Sequence, residues 1–147
     1  MAKDTEIKFK IKEKFDGLKQ AGTLADVIID DLKRGVLERD YSNFPVVVIQ
    51  PSAIDNETIT NRDNFRTYTF EIVVLLKGED VKDAETVENL REALIDAFDN
   101  DPTLGNTANG GVEPSSSPAE PVPLIGGKSY IVFSIFIKAK AIKTLSF

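Results

Sequence analysis

The sequence predicts an α+β fold: a mostly antiparallel sheet of four or so strands with two helices packed on one face. Three observations carry that expectation. Apolar residues alternate along Arg66–Lys77 and again along Ser129–Ile142, the two-residue period of a strand with a buried face. They recur at spacings of three and four over Asp4–Gln20 and Val81–Asn100, the period of one helical side. Strands and helices that are each apolar on one side are satisfied by stacking those sides into two layers.

Taken in order, Ile7, Ile11, Phe15 and Leu18 define the first helix. Ile7, Phe9 and Ile11 also alternate with Lys8, Lys10 and Lys12, but that strand template fails after Ile11 while the helical one continues to Ala21-Gly22. Leu24–Ile29 is short. Its β-branched Val27, Ile28 and Ile29 favour an irregular strand, and Leu24, Val27, Ile28 and Val36 partly suit a helix. Pro45-Val-Val-Val-Ile-Gln-Pro51 reads as a strand buried on both faces, its ends fixed by the prolines. Ser52–Asn64, rich in Asn, Asp and Thr, reads as a loop or hairpin connection.

The strand Arg66–Lys77 places Tyr68, Phe70, Ile72, Val74 and Leu76 on one face. Its other face should be exposed near Thr69 and Glu71 and covered near Val73 and Leu75. In the second helix, Val87, Leu90, Leu94, Ala97 and Phe98 face the sheet, with Asp80 or Asp83 as N-cap and Glu85, Glu88, Glu92, Asp96 and Asp99 toward solvent. Residues 102–127 hold five of the seven prolines and five of the nine glycines and show no convincing secondary structure. A long flexible Gly/Pro/Ser-rich loop at 103–127 is therefore expected within a single domain of residues 1–147, and loops of that length are uncommon in compact domains unless functional or disordered. The closing strand turns Ile131, Phe133, Ile135, Ile137, Ala139 and Ala141 inward and Tyr130, Val132, Ser134, Phe136, Lys138 and Lys140 outward.

Composition narrows the chemistry. The 147 residues are 41% hydrophobic and 29% charged, the balance of a globular domain rather than a disordered chain. Histidine, cysteine and tryptophan are absent, so imidazole and thiolate catalysis and their metal sites are excluded, and no disulfide is needed in a reducing cytoplasm. The charged N-terminus does not read as a signal peptide, and the longest nearly apolar stretch, Tyr130–Ile137, is far below the ~20 residues of a spanning helix. No membrane association is expected.

The net charge of −6 is segregated. Residues 1–20 carry +2, 79–101 carry −7, and 128–147 carry +4 from Lys128, Lys138, Lys140 and Lys143 without an acid. The overall sign argues against a general nucleic-acid binder.

No phosphate loop, dinucleotide fingerprint or nucleophile elbow occurs; the turns at Leu104-Gly105-Asn106 and Asn109-Gly110-Gly111 lack the strand-to-helix context that phosphate binding requires. Asp96, Asp99 and Asp101 lack the alternating spacing of a calcium loop and read as a solvated helix end. Glu71 is a lone carboxylate among strong strands, with no second group to pair with it in catalysis. No catalytic residue, cofactor or metal is assigned.

Interaction surfaces are the remaining candidates. Lys138, Lys140 and Lys143 read either as guards against edge-to-edge aggregation or as a patch facing a negative partner, DNA or the acidic helix of a neighbouring subunit. Arg62, Asn64 and Arg66 flank the entry to the strongest strand, where turn polarity and a partner contact are alternatives. An outward apolar set of Tyr130, Val132 and Phe136 requires a cover, from the long loop, a helix or another chain.

Taken together, the N-terminal helix, Phe44-Pro-Val-Val-Val-Ile-Gln-Pro51, the polar run Glu57–Arg66 leading into Thr67–Val74, the acidic helix ending Asp99-Asn-Asp-Pro-Thr-Leu-Gly105, and the closing strand resemble the tail-terminator (tail-completion) and neck proteins of long-tailed bacteriophages. The resemblance covers most of the chain by element order and loose consensus. It implies a non-enzymatic virion protein of the tail, assembled in the host cytoplasm. Such a protein forms a homo-oligomeric ring, typically hexameric, on the tail-tube protein; the ring stops tube polymerisation and meets the head connector. DNA would pass through without sequence-specific binding. Within that picture the interface candidates are Arg62, Asn64, Arg66, Tyr130, Val132, Phe136, Lys138 and Lys140, together with the loop 103–127, and the lumen candidates are Glu88, Glu92 and Asp96. A neck adaptor and a monomeric binding module outside phages are the alternative readings.

Overall fold

The computed structural model describes residues 3–30, 41–58, 63–78, 81, 83–123 and 129–144. Its elements are α1 (Lys3–Gln20), β1 (Asp26–Ile29), β2 (Val46–Ile49), β3 (Ala53–Thr58), β4 (Asp63–Lys77), α2 (Ala84–Asp99), β5 (Gly111–Ser116), β6 (Glu120–Pro123) and β7 (Ser129–Thr144). The sheet runs β1-β2-β4-β7-β5, with β3 pairing β4 and β6 pairing β7. Among the described residues only the β1–β2 pair is parallel.

The two long strands are the backbone of the fold. β4 and β7 pair antiparallel from Asp63↔Thr144 to Lys77↔Tyr130, so every side chain on one strand has an opposite number on the other. Even residues of β4 and odd residues of β7 share the face on which both helices lie. There Ile7, Ile11 and Phe15 of α1 and Val87, Leu90, Leu94 and Phe98 of α2 join Phe70, Ile72, Val74, Phe133, Ile135 and Ile137 in one core. The helices meet through an edge-to-face contact of Phe15 and Phe98, ring centroids 5.4 Å apart. β2, whose four residues are all fully buried, lies between β1 and β4 and is covered on both faces, as its bracketed valine run predicts.

The expected fold class and helix placement hold, and the strand count does not. Seven strands form among the described residues where about four were expected. β3 lies in the polar Ser52–Asn64 connection and makes a hairpin with β4, while all six of its side chains are exposed. A strand held by its ladder alone leaves no hydrophobic alternation to read. β5 and β6 occupy the 103–127 segment, read from sequence as a loop, and both pair with β7. Pro114, Pro121 and Pro123 concealed them, yet proline is compatible with an edge strand when its nitrogen faces away from the ladder. Ser117 N–H donates to the Ser134 carbonyl at 2.9 Å, a phase that turns the Pro114 nitrogen to the outer edge.

Between α2 and β5 the backbone at Leu104, Gly105 and Asn106 is left-handed, with φ of 48°, 63° and 71°. Burial holds Leu104 there: its side chain sits in the helix-side core at 1% exposure. The turn also brings Asp101 to Lys14 of α1 at 3.1 Å, a second tie between the helices.

Candidate assembly surfaces

The far face of the sheet, opposite the helices, divides along β4 and β7. At one end Val46, Val48, Val73, Leu75 and Tyr130 form a second apolar cluster with Tyr41 and Phe44 against it. The Phe44 and Tyr130 rings lie 5.4 Å apart, and Tyr41 is 6.5 Å from Tyr130. Tyr130, placed outward by the alternation, is thus 3% exposed under its own chain, with Val132 half-buried beside it. Beyond Glu71 and Ser134 the same face turns polar. Glu71 is opposite Phe136, Thr69 opposite Lys138 and Thr67 opposite Lys140. Lys138 is exposed, and Lys140 Nζ lies 3.7 Å from Glu113 of β5.

Asn64 and Arg66 fall on the helix side of β4. Arg66 Nε donates to Asn56 Oδ1 at 3.2 Å across the β3–β4 hairpin. Asn64 is buried, and its Oδ1 has no hydrogen-bond partner among the described residues. Arg62 lies outside the described residues, as do Lys128 and Asp80. The described interface candidates therefore occupy three places: under Phe44, on the polar half of the far face, and at the turn end of the β3–β4 hairpin.

The three lumen candidates are brought together. Glu85, Glu88, Glu92, Asp96 and Asp99 follow one another at spacings of three, four, four and three, and all are exposed on one ridge of α2. Both Glu88 carboxylate oxygens accept from Arg91 Nη1 at 2.7 Å, and Arg91 Nε donates to Ser116 Oγ of β5 at 3.0 Å. The last turn of α2 contains no basic residue, so Asp96 and Asp99 sit at the negative end of the helix dipole.

Two carboxyl groups bracket this helix. Asp83 is the N-cap, accepting from Thr86 N–H at 2.9 Å and from Thr86 Oγ1 at 2.8 Å, and these bonds hold its pKa below the ordinary carboxylate value. Asp101 is lowered as well, first by the Gly105 N–H at 3.2 Å and then by the Lys14 ammonium.

Periodicity does not disclose the groove beside the first turn of α2. A cavity of about 310 Å³ opens there, lined by Val81, Asp83, Ala84, Val87 and Glu88 on the helix side and by Ala119, Pro121 and Ile131 on the sheet side. It depends on β6, which the prolines hide. A second cavity of about 270 Å³, lined by Lys10, Glu13, Lys14, Asp101 and Gly105, is polar. No group of three or more metal-ligating side chains occurs among the described residues.

No protein-family model matches the chain, and no curated protein matches it. Among solved structures, one chain of a structure described as the virion of a native gene transfer agent (GTA) particle is similar at 12% identity and a TM-score of 0.45, over 89% of this chain and 92% of that one.

Proposed function

We propose that this chain is a non-enzymatic virion protein, a tail terminator that closes into a ring at the head-proximal end of a phage tail tube, stops tube polymerisation and joins the tail to the head connector. The observation that carries the reading is the acidic ridge of α2. Five exposed acids in one row, two of them at the wrong end of the helix dipole, destabilise the helix that bears them, so they serve something other than its folding. A negative surface on a channel wall lets DNA pass without adhering, which is the role the reading gives Glu88, Glu92 and Asp96. The element order and segment consensus of the resemblance supply the particle and the position within it.

Electron microscopy of tails assembled with and without the protein tests the role. Its absence should give tubes of uncontrolled length; tubes of normal length would overturn the proposal. Replacing Glu92 and Asp96 by Lys should impair DNA passage while rings still form. Loss of the rings before any effect on DNA would place those residues in a subunit contact instead.

A further inference from the structure

The sheet order places the two helices on opposite flanks of the molecule. α1 packs at β1 and β2, α2 at β5 and β7, and these pairs lie at the two ends of β1-β2-β4-β7-β5. The flanks differ in charge: α1 has six lysines and four acids, net +2, whereas α2 has five acids and one arginine, net −4. They also differ in shape. On the exposed side of α1, turned away from buried Ile7 and Ile11, Phe9 is 44% exposed; the other large exposed hydrophobics among the described residues, Ile54 and Ile142, are on strands. On the α2 flank lies the cavity of about 310 Å³, apolar at Val81, Ala84, Val87, Ala119, Pro121 and Ile131 and rimmed by Asp83 and Glu88. That is about twice the ~150 Å³ in which an apolar cavity holds benzene.

We propose that Phe9 of one copy seats in the α2–β6 groove of the next, making the side-to-side contact of the ring. The proposal rests on the ring reading above and names its contact. Phe9 supplies the apolar knob, and the lysine-rich turns around it meet the acidic rim at Asp83 and Glu88, with Glu92 and Asp96 lying further along α2 outside the contact. The contact is heterologous, with different surfaces of each copy engaged, and such contacts generate rings when their rotation closes. Continuation of the sheet from copy to copy through the β5 edge is disfavoured, because Pro114 turns a nitrogen without a hydrogen outward.

Phe9 is exposed, so Phe9→Glu leaves the core intact and separates association from folding. Sedimentation of the full chain up to about 1 mM, where even a millimolar contact registers, should show wild type assembling and Phe9→Glu weakened at least about tenfold, with unchanged circular dichroism. Ala119→Trp, which fills the groove from the sheet side, should also be monomeric; Ala84→Trp, at an exposed position, replaces it if it does not fold. The decisive sample is an equimolar mixture. Phe9→Glu keeps an intact groove and the tryptophan variant keeps an intact knob, so the two should form a one-to-one dimer and nothing larger. A wild-type chain that stays monomeric at about 1 mM, a Phe9→Glu chain that assembles like wild type, or a mixture without dimers each overturns the contact. Tubes left uncapped by a wild-type protein that does assemble through Phe9 would remove the terminator role and leave the contact standing. Tubes capped equally well by Phe9→Glu would do the reverse.

Discussion

The two helices bury their apolar sides in the same core, yet their exposed sides follow opposite rules. α1 obeys helix electrostatics: Asp4 and Glu6 lie in its first turn, Lys19 in its last, and Lys3–Glu6, Lys10–Glu13 and Lys12–Asp16 pair at spacings of three or four. α2 has an acidic first turn and a good N-cap but then continues acidic to its C-terminus, with Glu88–Arg91 as its intrahelical pair. Where a local rule is broken beside one that is kept, the broken one points to function. The buried sides explain why the helices are there, and the exposed sides set the charge that each flank presents to solvent.

The shared core is the first thing to break. Phe15→Ala and Phe98→Ala each remove one half of the edge-to-face pair at a fully buried site and should destabilise by about 3–5 kcal/mol. Denaturant melts of both single variants and the double variant check this: because the rings touch, the double loss should fall short of the sum of the singles. Additive losses would mean that the two helices pack on the sheet independently.

A smaller effect separates the helices. α2 is followed by the 101–110 turn, which is stitched to β7 where Gly110 N–H donates to the Lys140 carbonyl at 2.8 Å. A Cβ on Gly110 would lie 2.9 Å from Lys140 Cβ and 3.0 Å from its carbonyl oxygen. Gly110→Ala should therefore cost about 1–3 kcal/mol, the penalty of overpacking. Hydrogen exchange should show the loss first at the end of α2 and in β5, with α1 retaining its protection. Uniform loss across both helices would show that the seam is not specific to the α2 side.

These residues also show which parts of the molecule a sequence discloses. Phe15 and Phe98 lie on unbroken helical spacings, and the far-face switch at Glu71 is visible in the alternation of β4, because burial selects residue type directly. Asp83 could be named as a cap from its place before an apolar repeat. β3, β5 and β6 carry no such imprint: their ladders are made of backbone groups that every residue possesses, and their prolines and acids resemble those of loops. The groove beside α2 is hidden for the same reason. Tyr130 was legible as needing a cover, but its cover, Tyr41 and Phe44, comes from a stretch with no periodicity of its own. The ridge at Glu88, Glu92 and Asp96 could be read from spacing alone, whereas the dispersal of Asn64, Arg66, Tyr130 and Lys138 over three places follows from the register of β4 on β7.

The acidic ridge offers a finer distinction. Glu92 stands one turn from both Glu88 and Asp96, and each like-charged pair costs about 0.2–0.5 kcal/mol, so Glu92→Gln should stabilise the chain by less than about 1 kcal/mol. The gain should shrink as salt is raised, since these charges are exposed and screened. Lys12→Gln on α1, which breaks the 2.7 Å pair with Asp16, should destabilise slightly and lose its effect in the same salt. A gain that persists unchanged in high salt would trace to helix propensity and not to repulsion.

The smallest effect concerns acid. Asp83 and Asp101, at the two ends of α2, are both held below the ordinary carboxylate value by hydrogen bonds to their charged forms. A carboxyl whose folded pKa is depressed contributes stability that is fully present above its unfolded value of about 3.9, and that stability is lost as pH falls through the folded value. Below about pH 4 the melting temperature should accordingly fall faster in wild type than in Asp83→Asn, which keeps an N-cap acceptor but has no proton to take up. Asp101→Asn should flatten the curve in the same window, and it also removes the 3.1 Å pair with Lys14, so its melting temperature should start lower at pH 7. Parallel curves for all three chains from pH 7 to 3 would show that the acid sensitivity does not lie at the two ends of α2.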